Sequence, residues 1–109
     1  MQKPVQVTFR NLDRSEAIVD IVEEKASKLE HYFDQIISCH VVIEKPHKHQ
    51  HKGEHFHVRV DIKVPNTEIV TGRDPEQDTR HVDLHSAIND AFEASTRRLK
   101  AHVDRLQGL

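Results

Sequence analysis

The sequence predicts an α+β domain, a two-layer β-α-β-β-β-α arrangement in which two helices pack on one face of a four-stranded sheet. Three observations predict it. Apolar residues recur with period two in four stretches, the mark of half-buried strands, and at helical spacing in two others. Every stretch has a single apolar face. Two layers that bury those faces against each other are the simplest solution.

The first strand is read from Val5, Val7 and Phe9, which alternate with Gln6, Thr8 and Arg10. Asp13 and Glu16 then fit a capping box, with Asp13 as N-cap and Glu16 reaching back. Ile18, Ile21, Val22, Leu29, Tyr32 and Phe33 follow at helical spacing, so the first helix is expected to run to about residue 34. Val41, Val42 and Ile43 open the second strand, and Phe56, Val58, Val60, Ile62 and Val64 mark the third. A two-residue turn at Lys52 and Gly53 would set Ile43 opposite Ile62 and Val41 opposite Val64, with all apolar residues on one face. Pro46 would sit where this hairpin leaves the main sheet.

Pro65 and Asn66 form a second turn, which sets Ile69 opposite Ile62 and Thr71 opposite Val60 in a fourth strand over 67–73. Residues 74–82 are polar and aperiodic, hence a loop. Leu84, Ala87, Ile88, Ala91, Phe92, Leu99, Val103 and Leu106 mark a long second helix that Gly108 ends. The remaining sheet face (Gln6, Thr8, Arg10, Arg59, Asp61, Lys63, Glu68) is expected to meet solvent.

At 109 residues the chain is expected to be one domain. Hydrophobic residues at 36% and charged residues at 31% fit a soluble globular protein, and no apolar run approaches the roughly 18 residues needed to cross a bilayer. A cytoplasmic protein is the expected reading. The single cysteine, Cys39, excludes an internal disulfide and any multi-cysteine zinc motif.

Net charge is −2, with ten histidines, but the charge is patterned. Residues 13–34 hold seven acids and three bases, net −4, and residues 74–93 six acids against Arg80, net −5. Residues 45–52 and 94–109 are each net +3. Unperturbed imidazoles titrate near pH 6.5, so mild acid adds positive charge. Any binding to phosphate is therefore expected to be tighter at pH 6 than at pH 8.

Catalysis finds no support. There is no nucleophile elbow and no glycine-rich phosphate loop, since Gly53, Gly72 and Gly108 are isolated. Cys39 and His40 are adjacent on a strand and point to opposite faces. The chain is read as a non-enzyme without a cofactor. His47, His49 and His51 share a face at i, i+2, i+4 spacing, which makes a zinc or nickel site the alternative reading. No carboxylate or thiolate is placed to complete it, so no metal is assigned.

The basic clusters favour nucleic acid. Arg97, Arg98, Lys100 and Arg105 crowd the end of the second helix, with His102 between Arg98 and Arg105 on one stripe. Lys25 and Lys28 share a face of the first helix, and Lys45, Lys48 and Lys52 lie on the hairpin. Aromatic residues are scarce, so recognition of backbone and shape is expected rather than stacking on splayed bases.

Three segments carry a resemblance. Residues 28–36, KLEHYFDQI, and 82–92, VDLHSAINDAF, with Arg97, Arg98, Leu99 and Lys100 downstream, resemble the ribosome hibernation-promoting factor and ribosome-associated inhibitor family, also known as protein Y or sigma-54 modulation protein. The resemblance spans essentially the whole chain and implies a cytoplasmic translation inhibitor of stress or stationary phase. Such a protein binds the small ribosomal subunit and its rRNA in the mRNA and tRNA channel. The resemblance implies rRNA contacts at Lys25, Lys28, Arg97, Arg98, Lys100 and Arg105. It also implies a short form, a single ribosome-binding domain over 1–109 without the C-terminal dimerisation domain of long members. A second, ribosome-dimerising factor is then a candidate partner. The second helix has Ala94, Ala101, Val103 and Gln107 where a short member carries more lysine. Lys45, Lys48, Lys52 and the hairpin histidines are expected to replace that charge.

Overall fold

The computed structural model describes residues 1–45, 56–72 and 83–108. Its elements are β1 (Gln6–Arg10), α1 (Glu16–Leu29), β2 (Ser38–Glu44), β3 (His57–Val64), β4 (Thr67–Thr71) and α2 (Leu84–Leu106), in the predicted order. The sheet keeps chain order, β1-β2-β3-β4. β1 pairs parallel to β2, which requires a crossover, and α1 supplies it. The other two pairings are antiparallel.

Alternation decides which face is buried. Val41 and Ile43 of β2, Val58, Val60, Ile62 and Val64 of β3, and Ile69 of β4 all point inward. They meet Ile18, Val22, Ala26 and Leu29 of α1 and Ala87, Ile88, Ala91, Phe92 and Leu99 of α2 in one core. Complete burial of a side chain such as Ile43, Ile62, Ile88 or Leu99 contributes about 1.5–3 kcal/mol. Cys39 lies on this inner face and His40 on the outer one, so thiol and imidazole do not meet.

The Pro65–Asn66 turn forms as expected. Asn66 takes φ 72°, and Ile62 faces Ile69 while Val60 faces Thr71. At the far end of β4, Gly72 has φ 81°, and a Cβ there would lie 2.4 Å from the Val58 carbonyl oxygen. Only glycine fits that close approach.

Three expectations are corrected. The N-cap of α1 is Ser15, whose Oγ accepts from the Ile18 amide at 3.3 Å, not Asp13. Glu16 instead pairs with Arg14 at 2.7 Å. α1 ends at Leu29 rather than near 34, and Glu30–Phe33 close the helix with amides bonded back to Ser27, Lys28 and Leu29 carbonyls. A helix continued to residue 34 would have placed the Asp34 carboxylate at its negative end. The β2–β3 register is four residues from the expected one: Ile43 faces Val58, and Val41 faces Val60. A period-two pattern fixes register only modulo two, so the apolar face is preserved and the pairing is not.

The outer face meets solvent as expected: Gln6, Arg10, Lys63 and Glu68 are exposed, and Thr8, Arg59 and Asp61 are half-buried by contacts among themselves and their neighbours. Thr8 Oγ1 and His40 Nε2 share a hydrogen bond of 2.8 Å, and the Arg59 guanidinium donates to Asp61 at 2.9 Å. That pairing raises the Arg59 pKa further above its ordinary value. Val42, between Thr8 and Arg59, is buried on this face. The expected hairpin tip with Pro46, Lys52 and Gly53 and the expected 74–82 loop lie outside the described residues.

Candidate nucleic-acid interface

The two helices run roughly in parallel, so their C-terminal ends share one end of the domain. Phe33, just beyond α1, packs edge-on against His102 near the end of α2, with ring centroids 5.9 Å apart. The N-terminus joins them. Gln2 and Lys3 amides donate to Ile36 and Ile37 carbonyls at 3.2 and 3.1 Å, and the Met1 ammonium pairs with Glu30.

This end collects much of the positive charge. Lys28 is exposed in the last turn of α1, and Lys25 is half-buried one turn earlier. Arg97, Lys100 and Arg105 are exposed on α2, with Arg105 in its last turn. A cation at a helix C-terminus also offsets the macrodipole, a structural role worth about 0.3–1 kcal/mol. That role accounts for Lys28 and Arg105; it does not account for Arg97 or Lys100, which lie further from the end.

Not all the sequence-derived candidates join this surface. Arg98 is exposed, but its guanidinium donates to the backbone carbonyl of Val70 on the edge strand β4. His102, expected on a solvent stripe between Arg98 and Arg105, is buried, and its Nε2 has no hydrogen-bond partner among the described residues. Lys45 follows β2 at the opposite end of the sheet, where its amide donates to the Arg10 carbonyl at 3.1 Å. Lys48 and Lys52, and with them His47, His49 and His51, lie outside the described residues. Among the described residues no group of three or more His, Cys, Asp or Glu is placed to hold a metal ion.

The charged groups around the α2 N-terminus belong to the helix itself. Asp83 is the N-cap, accepting from the His85 amide at 3.3 Å and the Ser86 hydroxyl at 2.9 Å. The Ser86 hydrogen bond, more than the backbone amides, holds its carboxyl below the usual carboxylate range.

Sequence reasoning missed Tyr32 as a surface residue by placing it on the apolar side of a longer α1. The turn leaves it 44% exposed, with the Lys100 Nζ 4.5 Å from its ring centroid. A signal existed in Asp34, an anion unsuited to the C-terminus of a helix that ran to residue 34.

With this geometry in view, the comparisons with known proteins are specific. Residues 5–107 match the family described as sigma 54 modulation protein / S30EA ribosomal protein. A protein of Azotobacter vinelandii named ribosome hibernation promoting factor is 30% identical over 108 residues, covering 95% of this chain and 90% of the relative. Among solved structures, the N-terminal domain of Thermus thermophilus Protein Y superposes with a TM-score of 0.68 at 23% identity, covering 89% of this chain and 94% of that one. A ribosomal subunit interface protein from Coxiella burnetii gives 0.67 at 15% identity, covering 96% and 98%. At these identities the two structures show the shared fold.

Proposed function

Because the chain belongs to the sigma 54 modulation protein / S30EA ribosomal protein family, we propose that it is a ribosome hibernation factor. It acts in the cytoplasm by binding rather than by catalysis. It binds the small ribosomal subunit in the mRNA and tRNA channel and stops translation in stress or stationary phase. The observation that carries this reading is the meeting of the two helix C-termini at one end of a fold shared with Protein Y. Lys28, Arg97, Lys100 and Arg105 are exposed on these two helices, in a chain of net charge −2, and supply the cations for phosphate in this reading.

Such a surface binds the sugar-phosphate backbone without reading base sequence in a duplex. Lys25, half-buried behind Lys28, supports it from the same helix face. Arg98 contributes less, since occupying an RNA phosphate would compete with its bond to Val70.

Sucrose-gradient co-sedimentation with ribosomes, paired with a cell-free translation reaction, tests the reading. The protein is expected to travel with the small subunit, to inhibit synthesis in proportion to occupancy, and to dissociate steeply with salt. Each phosphate contact contributes about 0.7–0.9 to the slope of log affinity against log salt. No association at low salt would overturn the proposal.

A further inference from the structure

Tyr32 and Leu106 are the large hydrophobic side chains left exposed among the described residues, at 44% and 61%. They line the same open groove of about 510 Å³, between the turn after α1 and the last turns of α2. Phe33 and Val103 add apolar wall, and Asp34 adds a carboxylate. The Lys100 Nζ stands 4.5 Å from the Tyr32 ring centroid and does not itself line the groove. Two distant stretches of sequence thus build an aromatic platform with a cation beside it.

We propose that this groove receives one unstacked nucleobase of RNA, stacked on Tyr32, while Lys28, Arg97 and Lys100 hold the flanking phosphates outside it. The proposal rests on the reading of the chain as an rRNA-binding protein and adds a base-holding subsite to it. Every base has a π-face, so stacking on an aromatic side chain needs no particular sequence. The Lys100 ammonium at the ring draws on its electron density and favours an electron-rich stacking partner. Leu106 and Val103 shield the opposite side of a base from water.

The charges explain why a base, and not a phosphate, enters. Glu30 is paired with the Met1 ammonium. Asp34 is exposed in the groove. A carboxylate repels phosphate, yet it accepts hydrogen bonds from the amino groups of adenine, cytosine or guanine. No lysine or arginine lines the groove, and Lys100 stands beside its Tyr32 wall, which suits a chain whose phosphates stay outside. That cation disfavours a Lys- or Arg-rich peptide as occupant.

The protein offers its own probe. It has one tyrosine and no tryptophan, so its ultraviolet emission reports Tyr32 alone. A mixed-sequence single-stranded RNA decamer is expected to quench that emission saturably at low salt, and the same sequence as a duplex is not. No quenching by the single strand, equal quenching by the duplex, or stronger quenching by a Lys/Arg-rich peptide would each overturn the proposal. In ribosome co-sedimentation, Tyr32→Leu is expected to weaken binding about 5- to 100-fold and Tyr32→Phe by no more than about twofold. Leu106→Asp, at a surface position, is expected to weaken binding with the circular dichroism unchanged. Wild-type binding that Tyr32→Leu leaves intact would refute the subsite alone. Failure of the wild type to bind ribosomes would refute the functional reading, leaving the fluorescence experiment to decide the groove.

Discussion

Cys39 shows how strongly position governs a side chain here. It is the single thiol of the chain and is 1% exposed on the inner face of β2. Burial, with a smaller contribution from the Asp61 carboxylate, pushes the thiol up from 9.0 to about 12. The unfolded chain ionises first, so this group's contribution to stability is complete below about pH 9. It is lost as pH rises toward 12, by up to about 4 kcal/mol. Denaturant midpoints of the wild type and Cys39→Ala, compared from pH 8 to 11, are expected to converge or cross as pH rises. A constant gap would contradict the assignment. The folded protein is likewise expected to resist iodoacetamide at pH 8, where the unfolded protein reacts. The residue scale is also where sequence reasoning was weakest. Asp13 and Ser15 are both good caps, and only the path of the chain selects Ser15. His102 reads as a surface cation from its neighbours Arg98 and Arg105, yet the turn that brings Phe33 onto it buries it.

Elements were legible where two independent signals coincided. The β3–β4 register follows from Pro65 and Asn66 together with alternation, and it matches residue for residue. The β2–β3 register rested on alternation and an assumed turn, so its faces were right and its pairing was four residues off. α2 was legible along its length because its apolar stripe ends beside Gly108, whereas α1 lacked such a stop. What sequence could not show was the bond from Arg98 to Val70, a contact across 28 positions. It ties α2 to the edge strand of the sheet. Arg98→Ala is therefore expected to lower stability by about 1 kcal/mol in urea titrations. The same substitution should weaken ribosome binding less than Arg97→Ala does. A larger binding loss at Arg98, with stability unchanged, would show that its guanidinium leaves Val70 for RNA.

Across the described residues, cations stand at both ends of the domain. Lys28, Lys100 and Arg105 share the end where both helices finish, and Lys45 stands at the other end of the sheet. The double variant Lys28→Glu with Lys100→Glu is expected to flatten the salt dependence of ribosome binding by about 1.4–1.8 in slope, for two lost phosphate contacts. Lys45→Glu is expected to change it less. Equal effects would mean that both ends meet RNA. The strand order has a consequence of a different kind, for how quickly the chain finds its fold. Since β1-β2-β3-β4 repeats the order of synthesis, no strand has to insert between two that already pair. Each new strand adds to the free edge of its predecessor, and α2 arrives last to close the core over β3 and β4. Loop closures stay modest, which places the domain among mixed α/β chains that fold between the microsecond helical bundles and the slow all-β sandwiches. Stopped-flow refolding is expected to be a single exponential on the millisecond scale. A newly made copy could then engage its target almost as soon as its last helix is free of the ribosome that made it.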